Sequence, residues 1–246
     1  MKLGKQPAHY DKRTLNFSAF LDTSILPTIP ETFGHTKEIK EWGGLGNFTH
    51  GDCVIASGMH MVMNYKKAST GIDVPFTDEG AIKTYHQVNH TQEDRGTNML
   101  TFLKYWHKHG IKDENGELHK CGPYAYINPK KTDHIKVAIY LFGGVKIGIN
   151  LPDYYEEQFR AGKPWSVKPG PVNFVGGHDV PALAKYNKNF TCITWAKEQE
   201  IEPDFIYSFC DECYVIISPD YFNGKKQTPE GYDLAALMAQ YKIITA

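Results

Sequence analysis

The chain has 246 residues, 41% of them hydrophobic and 13% aromatic, enough to bury one substantial core or two small lobes around a cleft, which excludes a disordered chain. The formal net charge is −1 and the lysine pairs Lys66-Lys67, Lys130-Lys131 and Lys225-Lys226 lie far apart, so the concentrated basic surface of a nucleic-acid binder is missing. No window offers the roughly 18 uncharged apolar residues of a membrane span, and no apolar stretch follows the basic N-terminal residues, so neither membrane insertion nor secretion is expected.

Five cysteines, Cys53, Cys121, Cys192, Cys210 and Cys213, form an odd, sparse set rather than a disulfide framework, which fits a reducing compartment. Residues 1–45 are rich in Pro, Thr and Lys and weakly periodic. Leu26-Pro27-Thr28-Ile29-Pro30 is barred from helix, because each proline pushes its predecessor towards extended geometry. This segment is expected to lie over the body as an extended arm. Gly43-Gly44-Leu45-Gly46 then punctuates the chain. Val54, Ile55, Met59, Met61, Val62 and Tyr65 follow at the spacing of a helix buried on both sides, with Cys53 at its first turn.

Thr77 can cap a second helix, and a third spans 97–109, where Leu100, Leu103 and Trp106 recur at helical spacing and Gly110 can end it. Beyond Cys121, β-branched and aromatic runs predict strands over 124–127, 145–151, 179–186, 190–195 and 213–218. Short helices are expected at 132–142, 153–161 and 202–210. A helical N-terminal half followed by a β-rich C-terminal half predicts an α+β fold whose two parts meet at a cleft. The domain reading is an arm over 1–45, a catalytic-type domain over 46–222 and a helical extension over 223–246.

Cys53 has the setting of a reactive thiol. A helix N-terminus lowers a thiol pKa through its partial positive charge, an adjacent imidazolium does so more strongly, and the same amides can hold an oxyanion. Asp52 opposes this unless its side chain turns away to cap the helix. Of the eleven histidines, His178 stands apart. Gly176-Gly177 permits a close backbone approach, and the run from Val180 to Tyr186 reads as a buried strand, so His178 would enter that strand facing the cleft.

A Cys opening a long buried helix, a distant Gly-His-x-Val strand and a Trp-bearing strand together resemble the papain-like cysteine peptidases. Three positions carry the resemblance further. Asn47, six residues before Cys53, stands where that family has the glutamine of the oxyanion hole. Thr194, sixteen residues after His178, stands where it has the asparagine that orients the imidazole, and Trp195 resembles the tryptophan sheltering that contact. A turn at Asn187-Lys188-Asn189 would fold residues 194–198 back opposite His178. Glu198 is an alternative orienter if the hairpin register shifts.

More narrowly, the combination of Gly46-Asn47-x-x-x-Gly51-Asp52-Cys53, Gly176-Gly177-His178, Thr194-Trp195 and Ser218-Pro219-Asp220 resembles mostly phage-encoded papain-like proteins over about residues 8–222, which implies a virion or host-protein partner and a place in the host cytoplasm or the virion. Departures from papain are Val54, Thr194 and Asn47. The 52 residues before Cys53 are too few for an inhibitory propeptide of the secreted enzymes plus a mature N-terminus, so no zymogen of that kind is expected.

The resemblance implies a cysteine hydrolase acting on an amide of a peptide or crosslinked peptide, without metal or cofactor. The alternative is a degraded papain-like fold serving as a virion or binding protein. Cys210-x-x-Cys213 could share a metal, but no second ligand pair accompanies it, so packing is expected. His60 and Ser57 are expected in the core behind Cys53, Asp94-Arg95 as a surface pair, and Tyr124, Tyr126, Tyr154, Tyr155 and Trp165 around the cleft, packed in core and rim.

Overall fold

The computed structural model describes residues 1–21 and 27–240. Leu26 and the last six residues of the expected C-terminal extension lie outside them. The first short strands, β1 (Leu15–Asn16) and β2 (Phe33–Gly34), precede the long helix α1 (Cys53–Thr70). Helix α1 is buried on nearly every side through Tyr65, as its apolar run requires, and Gly71 ends it in the left-handed region at φ 75°.

Helix α2 (Asp78–Asn89) starts where Thr77 Oγ1 accepts the Gly80 N–H, as its sequence predicts. Helix α3 (Met99–His109) begins two residues later than expected. Asn98 is its cap, accepting the Thr101 N–H, and Thr97 is released to pair with a different segment. A small hairpin of β3 (Ile111–Lys112) and β4 (Leu118–His119) follows.

The second half contains β5 (Tyr124–Tyr126), α4 (Thr132–Phe142), β6 (Val145–Pro152), α5 (Tyr155–Arg160), β7 (Phe174–Tyr186), β8 (Asn189–Thr194), β9 (Lys197–Ile201), α6 (Pro203–Phe209) and β10 (Cys210–Ile216); α7 (Leu234–Gln240) lies in the C-terminal extension. Among the described residues, the main sheet runs β1-β5-β10-β6-β7-β8-β9, with β2 added on β7; only β1 and β5 pair in parallel. Helix α1 packs against β7, the central contact between the helical and sheet halves. The fold class is therefore the α+β arrangement that the sequence predicts.

Two differences bear on the site. Strand β7 starts at Phe174 rather than 179, so His178 lies inside the strand opposite Ile149 of β6, not at its entrance. Strand β9 was not legible as a strand. Lys197-Glu198-Gln199-Glu200-Ile201 has no apolar alternation, yet Gln199 and Ile201 are buried while their neighbours face outward. No helix among the described residues is long and apolar enough to cross a membrane.

Candidate active site

The turn before α1 is held by a carboxylate. Asp94 Oδ1 accepts the Gly51 N–H at 2.8 Å and the Tyr85 hydroxyl at 2.9 Å, while Arg95 pairs with Glu93. Asp94 is thus not the surface partner of Arg95 that the sequence suggested. Asp52 supplies the backbone N-cap, its carbonyl accepting the Ile55 and Ala56 N–H groups, but its side chain does not cap. The carboxyl is buried instead, and burial pushes its pKa up to about 8. It is neutral at pH 7, which removes the opposing charge beside Cys53.

Cys53 is 1% exposed. Burial, reinforced by the carboxylate of Asp179, pushes its thiol up to about 12, partly opposed by backbone hydrogen bonds from Asp179 and Gly4. Burial also takes His178 down to about 3. Both groups are neutral in this closed state, with no hydrogen bond between them: Nδ1 of His178 has no partner among the described residues.

The other face of the ring is fixed. His178 Nε2 and Thr194 Oγ1 are 2.7 Å apart, and the Trp195 ring stacks on the imidazole with centroids 4.3 Å apart and planes 10° from parallel. If Nε2–H donates to Thr194, Nδ1 is left as the bare acceptor a thiol proton requires. Trp195 and Ala196 form the two-residue β8–β9 turn, both left-handed at φ 45° and 63°. A tryptophan in this region costs on the order of 1–3 kcal/mol. Tyr155, Phe159 and Trp165 pack around its ring and hold it there. Tyr155 and Trp165 are therefore core supports of the imidazole contact.

Glu198 faces elsewhere. It pairs across the hairpin with Ile193, one position removed from Thr194 and so on the opposite face, and its carboxylate meets Lys37. Asn47 is buried next to the Cys53 turn, its Nδ2 donating to His50 O at 3.1 Å.

Beneath the thiol lies a group the sequence did not reveal. Lys146 of β6 is wholly buried, and its Nζ donates to Val54 O at 2.9 Å and Ser57 Oγ at 2.8 Å and stands 2.9 Å from Asp179 Oδ2. Ser57 Oγ also bonds Asp179 Oδ1 at 3.1 Å. This network ties the first turns of α1 to β6 and to the residue after His178. It brings the cysteine and histidine elements together, and Ser57 has the supporting place expected of it. His60, farther along α1, donates to or accepts nothing from this network; its Nε2 contacts the carbonyls of Trp42 and Gly43.

The cleft is covered by the chain's own first residues. Lys2 N donates to Asn47 O, Lys5 N to Gly177 O, Thr97 N to Gly4 O and Gln6 N to Thr97 O, at 2.7–3.0 Å. The walls are glycine where this segment passes. A β-carbon on Gly177 would lie 2.3 Å from Lys5 O, and one on Gly4 would lie 1.8 Å from Gly51 O. The close approach that Gly176-Gly177 predicted is made to Lys5. Residues 2–6 are enough to seal the thiol.

No family model matches the sequence, and no curated protein is similar enough to count as a match. Solved structures do match. Xylellain, a cysteine protease from Xylella fastidiosa, superposes with a TM-score of 0.67 at 13% identity, over 87% of this chain and 95% of its own. The fold is that of the papain-like cysteine proteases. Procathepsin B S9 from Trypanosoma congolense (TM-score 0.63, 11% identity, 89% of this chain and 86% of its own) and digestive procathepsin L2 from Tenebrio molitor larval midgut (0.60, 14%, 85% and 76%) share it.

The five cysteines are buried and unbridged, and Cys210 and Cys213 open β10 as packing groups. Asp113, Glu117 and His119 converge on the β3–β4 hairpin closely enough to hold a cation. That cluster shares no residue with the cleft.

Proposed function

We propose that this chain is a cysteine peptidase held closed by its own residues 1–6. Cys53 attacks the carbonyl of a peptide substrate, its proton passing to His178 Nδ1. Thr194 and Trp195 hold the ring, and the imidazolium returns the proton to the leaving amine. The Cys53 backbone N–H and the Asn47 amide, once it releases His50 O, hold the oxyanion that forms.

The observation that carries this reading is the fixed imidazole: a buried ring bonded at 2.7 Å on Nε2, stacked on a strained tryptophan, and left without a partner on Nδ1. Most buried polar side-chain atoms have a partner, so a bare Nδ1 on a ring held this firmly is the acceptor that the reading needs. The alternative, a degraded fold kept as a virion or binding component, has no comparable observation behind it.

The covering segment explains the neutral resting pair. The Gly4 amide faces the thiol while the Gly4 carbonyl accepts the Thr97 N–H, so sulfur meets a donor and not an attackable carbon. Gly4→Ala drives a β-carbon into the Gly51 carbonyl and should dislodge the segment. Incubated with a mixed peptide pool, this variant should release new termini by mass spectrometry, and Gly4→Ala with Cys53→Ala should release none. Equal products from both variants would overturn the proposal.

A further inference from the structure

The segment over the cleft places one long side chain in a pocket of its own. Lys5 is a lysine with a wholly buried side chain, next in sequence to the residue that covers Cys53. Its Nζ lies 3.0 Å from Asp211 Oδ1 and Oδ2 and 3.3 Å from Glu212 Oε1, and it donates to Gln6 O at 3.2 Å. Gly148 forms the wall. A β-carbon there would lie 2.2 Å from Lys5 Cε and 2.7 Å from Met99 Sδ, so the pocket exists because residue 148 has no side chain.

The acids are built into the sheet. Glu212 of β10, Gly148 of β6 and Asp179 of β7 stand in register across three neighbouring strands. Asn150 Nδ2 donates to Asp211 Oδ2 at 3.2 Å, and Tyr214 OH donates to Glu212 Oε2 at 3.2 Å. Once Lys5 leaves, the part-exposed Asp211 and the buried Glu212 both lose their ion partner and face a pocket with no cation in it; burial, which holds Glu212 up at about 7 even beside Lys5, then favours its protonated form. A substrate that refills the pocket with an ammonium group recovers that loss; an apolar or acidic side chain does not.

We infer that the Asp211–Glu212 pocket is a specificity site that selects a lysine side chain in the peptide bound across the cleft, with Lys5 as its intramolecular occupant. The inference rests on the cleft being a substrate site, and it extends the peptidase reading to a substrate class: peptides with a basic residue close to the bond under attack. Lysine fits better than arginine, because the stem passes Gly148 at contact distance and a guanidinium is broader than an ammonium.

The test uses full-length protein carrying Lys5→Ala, which vacates the pocket; if that variant does not fold, Gly4→Ala takes its place. Fluorescein-labelled alanine hexapeptides bearing one lysine, norleucine or glutamate at each position in turn are titrated against Lys5→Ala with Cys53→Ala, and their hydrolysis is followed with Lys5→Ala alone. Lysine at one position should bind at least tenfold more tightly than norleucine there, and Glu212→Gln with Asp211→Asn should abolish the difference. Equal binding of lysine and norleucine peptides, or a lysine preference that survives the change of both acids, overturns the inference. Hydrolysis without basic preference overturns it while leaving the peptidase reading intact. Selective binding without hydrolysis by any variant supports the pocket and counts against the peptidase.

Discussion

The backbone amide of Gly4 faces the thiol of Cys53, where it favours the thiolate against the burial that opposes it. This contact makes the first residues of the chain part of the site, and it sets the electrostatics of the resting state. Water is excluded, the thiol is pushed up and the imidazole down, and neither carries charge. Opening the segment should return solvent to both groups and allow the thiolate–imidazolium pair to form.

Thr194 is the group that fixes the ring. In Thr194→Val, His178 Nε2 would lose its 2.7 Å partner and become a second unpaired buried nitrogen. Stability should fall by about 1–3 kcal/mol in urea titration. In the Gly4→Ala background, hydrolysis should slow by about tenfold, the equivalent of about 1.4 kcal/mol in barrier. Thr194→Ser keeps the hydroxyl and should recover most of the rate; equal loss in both variants would show that the hydroxyl does not orient the ring.

Lys146 joins three oxygens beneath Cys53. Lys146→Met would leave the buried Asp179 carboxylate uncompensated and Val54 O unbonded, at a cost of about 3–5 kcal/mol. Adding Asp179→Asn should restore part of that loss. A single variant within about 0.5 kcal/mol of wild type, the range of unremarkable surface changes, would contradict a charged network at this position.

Asp52 gives a pH signature. Its folded pKa of about 8 lies above the ordinary aspartate value of 3.8, so between those limits the folded chain keeps a proton that the unfolded chain has released. That contribution is fully present below the lower value and is lost as pH rises to the upper one, at about 1.4 kcal/mol per pH unit. Asp52→Asn does not titrate. Its stability relative to wild type should therefore climb from pH 5 to pH 8 and level off above. A constant difference across this range, measured by urea midpoints, would show that Asp52 is ionised in the fold.

The parts of the site that follow local rules were legible in the sequence. Cys53 stood before an apolar helix, His178 followed paired glycines ahead of a strand run, and simple hairpin spacing carried Thr194 and Trp195 to it. Lys146 was hidden because a lysine inside the run Val145 to Leu151 reads as an outward-facing residue; only Asp179 and Ser57, distant in sequence, make its burial tolerable. Asp211 and Glu212 read as charges between two cysteines, and Lys5 as part of an arm. Their meeting depends on the order of β10, β6 and β7 and on the path of residues 1–6, which no local pattern encodes. Glu198 was a candidate only while the register of β8 and β9 was open.

The most direct test of a closed but intact thiol–imidazole site is the rate at which iodoacetamide modifies Cys53 between pH 5 and 9, read by peptide mass spectrometry. Wild type should label very slowly throughout. Gly4→Ala should label at least tenfold faster, with an apparent thiol pKa well below the ordinary value of about 8.5, and adding His178→Ala should return that pKa to the ordinary value. Labelling of Gly4→Ala that is as slow as wild type, or that follows the same pH curve with and without His178, would contradict the account.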